Sequence, residues 1–225
     1  MAVRLDLVAI RDALHSVQTA YPRINERLDA QRPPLLDEIV DNLIAGYALI
    51  DRFVADGVDL TAPGHSQGVL EVNHTVLYGP PDARSDNQLA SLDASESYFY
   101  TKAESGIGDL IEYFAEQRFD DEWQEAAGIY VRMMATPQLF IEGNHRTGAL
   151  LMSYLLMRRG RPPFVLTAEN AYSYFTFSAL LKGLKRRSLM MLWRRGGFQR
   201  DMVGLLQQES DQCFLVDGKA AAAST

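Results

Sequence analysis

The chain has 225 residues, of which 47% are hydrophobic and 23% are charged. These values are ordinary for a globular protein, and the length suits one well-packed domain better than two. The net charge of -7 argues against general nucleic-acid binding, and the single cysteine, Cys213, cannot form an internal disulfide. Because no apolar run approaches the ~18 residues of a membrane span, we expect a cytoplasmic protein without membrane contact. Delivery into another cell as a secreted effector would leave no trace in this sequence.

Helical patterns dominate the first quarter of the chain. Apolar residues between Leu5 and Val17 are spaced for an amphipathic helix that stops before Pro22. A stronger pattern over 36–53 predicts a helix that ends before Gly57. The glycines, prolines and serines that follow predict a loop.

The segment 69–78 is the one convincing strand pair in the sequence. Two short runs rich in β-branched residues flank Asn73 and His74, which predicts a hairpin with His74 facing solvent or a partner at its tip. The predicted strand residues are Val69, Leu70, Glu71, Val72, Thr75, Val76 and Leu77. A two-stranded hairpin is not stable alone, so we expect it to lean on helices.

Further helices are predicted downstream. Residues 83–97 are polar and predict a loop, which is followed by a helix over 98–117. Either Asp120 or Asp121 is placed to cap the next helix. The run 149–157 is apolar nearly all round, as is typical of a central helix.

Two more helices, over 168–184 and 188–208, complete the predicted set, and the second is broken or kinked at Gly196 and Gly197. The whole chain is therefore predicted to be one all-α domain with an inserted hairpin. Its predicted parts are N-terminal helices at about 3–56, a core at about 65–185, C-terminal helices at about 186–210 and a frayed tail at 217–225.

The residues before the central helix carry the clearest chemical signal. Gly143 allows a tight turn and a close approach of the backbone to a ligand. The unpaired amides and the dipole of a helix N-terminus attract phosphate, and Arg146 adds a charged, bidentate donor. Glu142 is placed to hold a divalent metal that bridges phosphates. The predicted phosphate- or nucleotide-binding residues are Gly143, Asn144, His145, Arg146 and Thr147.

This stretch resembles the signature of the Fic (Fido) family, His-Pro-Phe-x-Asp/Glu-Gly-Asn-Gly-Arg-x-x-Arg. Five positions match in order and without gaps: Phe140, Glu142, Gly143, Asn144 and Arg146. Four positions differ: the family's catalytic histidine, proline, second glycine and final arginine fall on Gln138, Leu139, His145 and Ala149. The run of Asn144, Arg146 and Thr147 is more similar to the Doc branch, which also lacks the final arginine.

The resemblance implies an all-α bundle around the helix after the motif, with the hairpin as a flap that holds a target protein by strand addition. It also implies transfer of an adenylyl or related phosphate-linked group from a nucleotide, such as ATP, to a protein hydroxyl, with Mg²⁺ as cofactor. Loss of the final arginine at Ala149 implies altered nucleotide orientation or a different donor. The inhibitory helix of many family members is not found in the sequence, so any inhibitor would be a separate antitoxin or regulator.

Two side chains bear on catalysis. Gln138 has no titratable group, and loss of a general base typically costs ~100- to 10,000-fold in rate. It can still orient a hydroxyl, or it is simply a polar residue that faces solvent or caps a loop carbonyl. His145 lies in the first helical turn, where the dipole favours the neutral form that a surrogate base needs. Alternatively, it lies outside the reacting centre.

Positive charge concentrates near the end of the chain. The basic residues are Lys182, Lys185, Arg186, Arg187, Arg194, Arg195 and Arg200. They form either a solvated helix face or a surface for an acidic partner or for the phosphates of a donor. Two functions follow from the sequence: an atypical Fic-type transferase, or a catalytically inactive module that binds a nucleotide or a protein partner.

Overall fold

A computed structural model describes residues 3–101, 106–185, 189–209 and 211–216, and it confirms the all-α expectation. The α-helices in these ranges are α1 (Leu7–Glu26), α2 (Asp37–Ala55), α3 (Ser66–Tyr78), α4 (Asp86–Thr101), α5 (Ile107–Glu116), α6 (Glu122–Met134), α7 (Asn144–Arg158), α8 (Ala171–Lys182) and α9 (Leu189–Glu209). No helix in the described part of the chain is long and apolar enough to cross a bilayer. Arg186, Arg187 and the predicted tail at 217–225 lie outside the described residues.

The helix α7 is the centre of the molecule, as its apolar sequence predicts. Every residue over 150–157 is buried, and the helix packs against α2, α3 and α6. Its polar side chains are satisfied internally, since the Ser153 hydroxyl donates to the Phe164 carbonyl at 2.8 Å. The Tyr154 hydroxyl accepts a 3.0 Å hydrogen bond from the Leu60 amide and donates to the Val58 carbonyl. The two Tyr154 hydrogen bonds fix α7 against the loop after α2.

Two short strands join distant parts of the chain. The strands β1 (Arg4–Leu5) and β2 (Leu215–Val216) pair antiparallel, with Arg4 opposite Val216. The buried carboxylate of Asp51 in α2 accepts hydrogen bonds from the Leu5 amide at 3.0 Å and from Arg4 Nε at 2.9 Å. Both ends of the described chain are therefore held on α2.

The predicted hairpin flap is wrong, because residues 66–78 form the helix α3. The helix buries Val69, Leu70, Val72 and Val76 against its neighbours, and this packing outweighs the strand preference of β-branched residues. The remaining predicted strand residues, Glu71, Thr75 and Leu77, also lie on α3. His74 is 5% exposed and faces the interior rather than solvent.

The segment 83–97 also differs from its predicted loop, because most of it belongs to α4. Its buried residues Leu92, Ser95 and Phe99 are spaced by three and four, but the polar Ser95 hides the apolar stripe. The helix predicted over 98–117 is correspondingly divided between α4 and α5. The helix α9 continues through Gly196 and Gly197, where a break or kink was predicted.

Candidate functional site

The motif residues lie in the loop that connects α6 to α7. Leu139 and Phe140 are each 1% exposed and anchor the loop in the core. The Phe140 ring stacks on Phe99 of α4, with ring centres 5.2 Å apart. Phe140 therefore matches the family motif at a position that serves packing.

Asn144 folds the loop back on the start of α7. Its side-chain oxygen accepts a hydrogen bond from the Phe140 amide at 2.9 Å, and its Nδ2 donates to the Phe140 carbonyl at 2.8 Å. Asn144 is buried, so these two bonds have no competition from solvent. They hold the loop in one conformation at the N-terminus of α7.

Asn73 of α3 provides a second clamp that the sequence did not predict. Its Nδ2 donates to the Glu142 carbonyl at 2.9 Å and to Thr147 Oγ1 at 3.0 Å. Asn73 and Thr147 are both 0% exposed. The Thr147 hydroxyl therefore holds α7 against α3, which is a structural use of a predicted phosphate-binding residue.

Gly143 is required at its position for two reasons. Its φ of +78° lies in the left-handed region that favours glycine. A Cβ here would also lie 2.7 Å from Asn73 Nδ2, so α3 leaves no room for a side chain. Gly143 is the N-cap residue of α7 and has no side chain that could accept a hydrogen bond. The backbone amides of the first turn of α7 are therefore left without a side-chain acceptor.

Gln138, at the position of the family's histidine, is half-buried and turned into the loop. Its Nε2 donates to the Met134 carbonyl at 3.3 Å, and its Oε1 accepts from Asn144 Nδ2 at 3.4 Å. Its backbone carbonyl accepts a hydrogen bond from the Tyr98 hydroxyl at 3.1 Å. The Gln138 side chain therefore contacts the last carbonyl of α6 and the side chain of Asn144.

His145 points from the first turn of α7 towards the interior. Its Nδ1 lies 3.4 Å from the hydroxyl of the fully buried Tyr130. Burial, together with the positive charges of Arg32, Lys182 and Arg146, lowers the pKa of His145 to about 3. The imidazole is therefore neutral at pH 7, and burial is the main reason.

Glu142 and Arg146 differ in their surroundings. The Glu142 side chain is exposed, whereas the Arg146 guanidinium is half-buried and donates to the Val76 carbonyl of α3 at 2.6 Å. A second Arg146 nitrogen lies 3.8 Å from a Glu142 oxygen. In the described ranges, no group of three or more histidine, cysteine or acidic residues could hold a metal, so Glu142 would need other ligands.

Two further cations lie near the start of α7. The charges of Arg32 and Lys182 reach His145, although Arg32 comes from the segment between α1 and α2 and Lys182 from the end of α8. An Arg32 nitrogen donates to Ser178 Oγ at 3.0 Å and is held in place by α8. No local motif marks Arg32, because only the tertiary fold brings it to the loop. Lys182 belongs to the basic segment that the sequence singled out.

Comparison of the chain with protein-family models, with curated proteins and with solved structures found no match.

Proposed function

We propose that this chain is a Fic-like protein that binds the phosphate groups of a nucleotide at the N-terminus of α7 and has no histidine-dependent transferase activity. The proposal rests on the position of α8, whose Tyr174 hydroxyl donates to the His145 carbonyl at 2.9 Å. This helix holds Arg32 through Ser178 and ends at Lys182, and the charges of both, with that of Arg146, act on His145 in a chain of net charge -7. A helix N-terminus surrounded by cations favours an anion. The stacked Phe140 and the Asn144 and Asn73 hydrogen bonds hold the loop rigid, which reduces the entropy lost on binding.

Mg²⁺ fits this proposal as an ion that arrives with the nucleotide. Magnesium is commonly held by one or two carboxylates together with substrate phosphates. Glu142 supplies one exposed carboxylate beside the loop, and phosphate oxygens would complete the coordination. The ion would neutralise phosphate charge, while Arg32, Lys182 and the first-turn amides would orient the phosphates.

Calorimetry with ATP and ADP, with and without Mg²⁺, tests the binding. Lys182→Gln should weaken ATP affinity about fivefold to tenfold, because an exposed cation near the phosphates is lost. Arg23→Gln removes an exposed cation from α1 and should change affinity less than about twofold. Absence of ATP binding, or equal weakening by the two variants, would contradict the proposal.

The transferase is the second candidate, favoured by the adjacent side chains of Glu142 and Arg146. If only the base is missing, Gln138→His should raise transfer of a labelled adenylyl group by ~100-fold or more. Under the binding proposal, Gln138→His binds ATP without transfer, because the loop lacks the rest of the machinery. Gln138→His combined with Ala149→Arg extends the test, since phosphate orientation and proton removal are separate requirements. Transfer of the adenylyl group by either variant would show that the protein is an enzyme that has lost its base.

A further inference from the structure

We propose that an open cleft at the C-terminal end of α7 binds a basic peptide segment in which a lysine or arginine lies beside apolar residues. The cleft has a volume of about 610 Å³ and lies between the end of α5, the start of α6, the loop at 61–63 and Arg159. Gly143 and Arg159 cap opposite ends of α7, so at 1.5 Å per residue the cleft is about 24 Å from the motif loop. It is therefore a separate site.

The floor of the cleft is apolar and aromatic. It contains Ile111, Phe114 and Phe119, which are all half-buried. The rings of Phe114 and Phe119 have centres 5.9 Å apart and are tilted by 54°. Such a floor accepts an aliphatic side chain, and its ring faces attract a guanidinium or ammonium group.

The wall of the cleft is acidic. Four carboxylates line it, those of Asp120, Asp121, Glu122 and Glu125, against the guanidinium of Arg159. Arg161, outside the lining, pairs with Glu122, so the lining counted together with Arg161 has a net charge of -2. The C-terminus of α5 also lies here, and its unpaired carbonyls add partial negative charge. An anionic ligand such as a nucleotide would be repelled, whereas a cation would be attracted.

The carboxylates differ in how firmly they are engaged. Asp121 caps α6 by accepting from the Gln124 amide at 2.8 Å and is needed there. Glu125 pairs with Arg159, whose side chain is 62% exposed, and a pair of this kind exchanges readily. Asp120 is exposed and accepts from Gln124 Nε2 at 3.2 Å, which leaves acceptor positions directed towards solvent. Asp120 is therefore the best-placed partner for an incoming cation.

The openness of the cleft favours a peptide over a small molecule. Ala115, Gln117 and Asp120 lie along its rim and are all exposed. Small-molecule sites typically bury ~70–90% of their ligand, which an open cleft cannot do. A peptide can lie along the rim, place one apolar side chain on the phenylalanines and direct a basic side chain to the wall.

Fluorescence anisotropy with the labelled peptide Gly-Ser-Leu-Arg-Leu-Lys-Ser-Gly tests the proposal at low salt. We expect saturable binding to the full chain with a Kd below about 100 µM. Replacing the two leucines with serine, or the arginine and lysine with glutamine, should each weaken binding about tenfold. Equal binding of either substituted peptide would contradict the proposal, because both chemical features are required.

Variants of the cleft provide the matched comparison. Ala115→Trp fills the cleft from an exposed helical position, and Asp120→Lys reverses the charge at the rim, so each should weaken binding about tenfold. Glu112→Lys makes the same charge change as Asp120→Lys on the exposed face of α5, outside the cleft, and should alter binding less than about twofold.

Two results would overturn the proposal. An equal loss of peptide binding in Glu112→Lys and Asp120→Lys would mean that charge attraction is unspecific, and absence of binding to the wild-type chain would exclude the site. Agmatine binding as tightly as the peptide would identify a small organic cation instead.

Discussion

The two ends of α7 are held by different kinds of contact. At the N-terminal end, Asn73 and Asn144 form hydrogen bonds between buried neutral groups, and α3 packs directly on Gly143. At the C-terminal end, exposed arginines pair with carboxylates around an open cleft, as Arg159 does with Glu125. Buried hydrogen bonds fix geometry and are costly to break, whereas exposed ion pairs can be exchanged for a ligand. The N-terminal end therefore suits a preformed site, and the C-terminal end suits an adaptable one.

Gly143→Ala should give the largest loss of stability at the N-terminal end. The left-handed φ costs an alanine ~1–2 kcal/mol, and displacement of Asn73 adds ~1–3 kcal/mol. Urea unfolding should show a loss of about 3 kcal/mol. Gly204→Ala in α9, where a Cβ meets nothing within 4 Å, should instead stabilise by up to ~1 kcal/mol. A change below ~0.5 kcal/mol for Gly143→Ala would mean that α3 does not constrain the loop.

Asn73→Ala should cost about 2 kcal/mol, because the Glu142 carbonyl and Thr147 Oγ1 both lose a buried donor. The exposed Asn87 in α4 is the matched control, and Asn87→Ala should change the unfolding free energy by less than ~0.5 kcal/mol. If the two variants lose equal stability, the clamp between α3 and the loop contributes little.

Stability should also depend on His145 as the pH falls. Its pKa is about 3 in the folded chain and ~6.5 when unfolded, so between these values the unfolded chain binds more protons. Stability is therefore unaffected by this group above pH 6.5 and decreases as the pH falls towards 3. His145→Gln should reduce the slope of unfolding free energy by up to about 1.4 kcal/mol per pH unit between pH 4 and 6. An unchanged slope would show that the half-buried imidazole does not control acid sensitivity.

Arg159→Ala, at the C-terminal end of α7, should give the smallest loss in the free energy of unfolding. Its pair with Glu125 is exposed on the arginine side, and such pairs contribute ~0–1 kcal/mol. Urea unfolding should therefore change by less than ~1 kcal/mol, and the small difference should shrink further in 1 M salt. A loss as large as that of Asn73→Ala would remove the distinction between the two ends of α7.

The parts of the fold that the sequence predicts are those with a local signal. The apolar run of α7 is visible without the structure, and the sequence limits the cap of α6 to Asp120 or Asp121, of which the structure shows Asp121. The sequence does not reveal the helix α3, because its residues are buried on almost every side and no polar face shows the helical period. Gly79 ends α3 as it would end a predicted strand, so it does not distinguish the two structures.

Only the part of the candidate site that is continuous in sequence could be predicted. The loop residues from Gln138 to Thr147 form one continuous stretch, and the sequence places them before a helix. Asn73 and Arg32 come from other helices or loops, and no spacing rule connects them with the motif. The hydrogen bonds that occupy Gln138 and Asn144 are also tertiary facts, because they depend on how tightly the loop folds against α6. Sequence therefore indicates which chemistry is available, and packing decides which side chains are free to use it.

The β1–β2 pair brings the first and last described segments of the chain together, so the path between residues 3 and 216 begins and ends at the same place. Paired strands lie ~4.8 Å apart, and Arg4 is opposite Val216, so a linker of a few residues can join the two strands. If the two strands were joined in this way, the order of the helices along the chain would depend only on where the resulting circular chain is opened. A permuted chain opened in the exposed connection between α1 and α2, at Pro33 and Pro34, would retain every helix and both ends of α7. The new termini would lie away from the cleft but next to Arg32, and opening the chain there makes the molecule suitable for insertion as a unit into another protein.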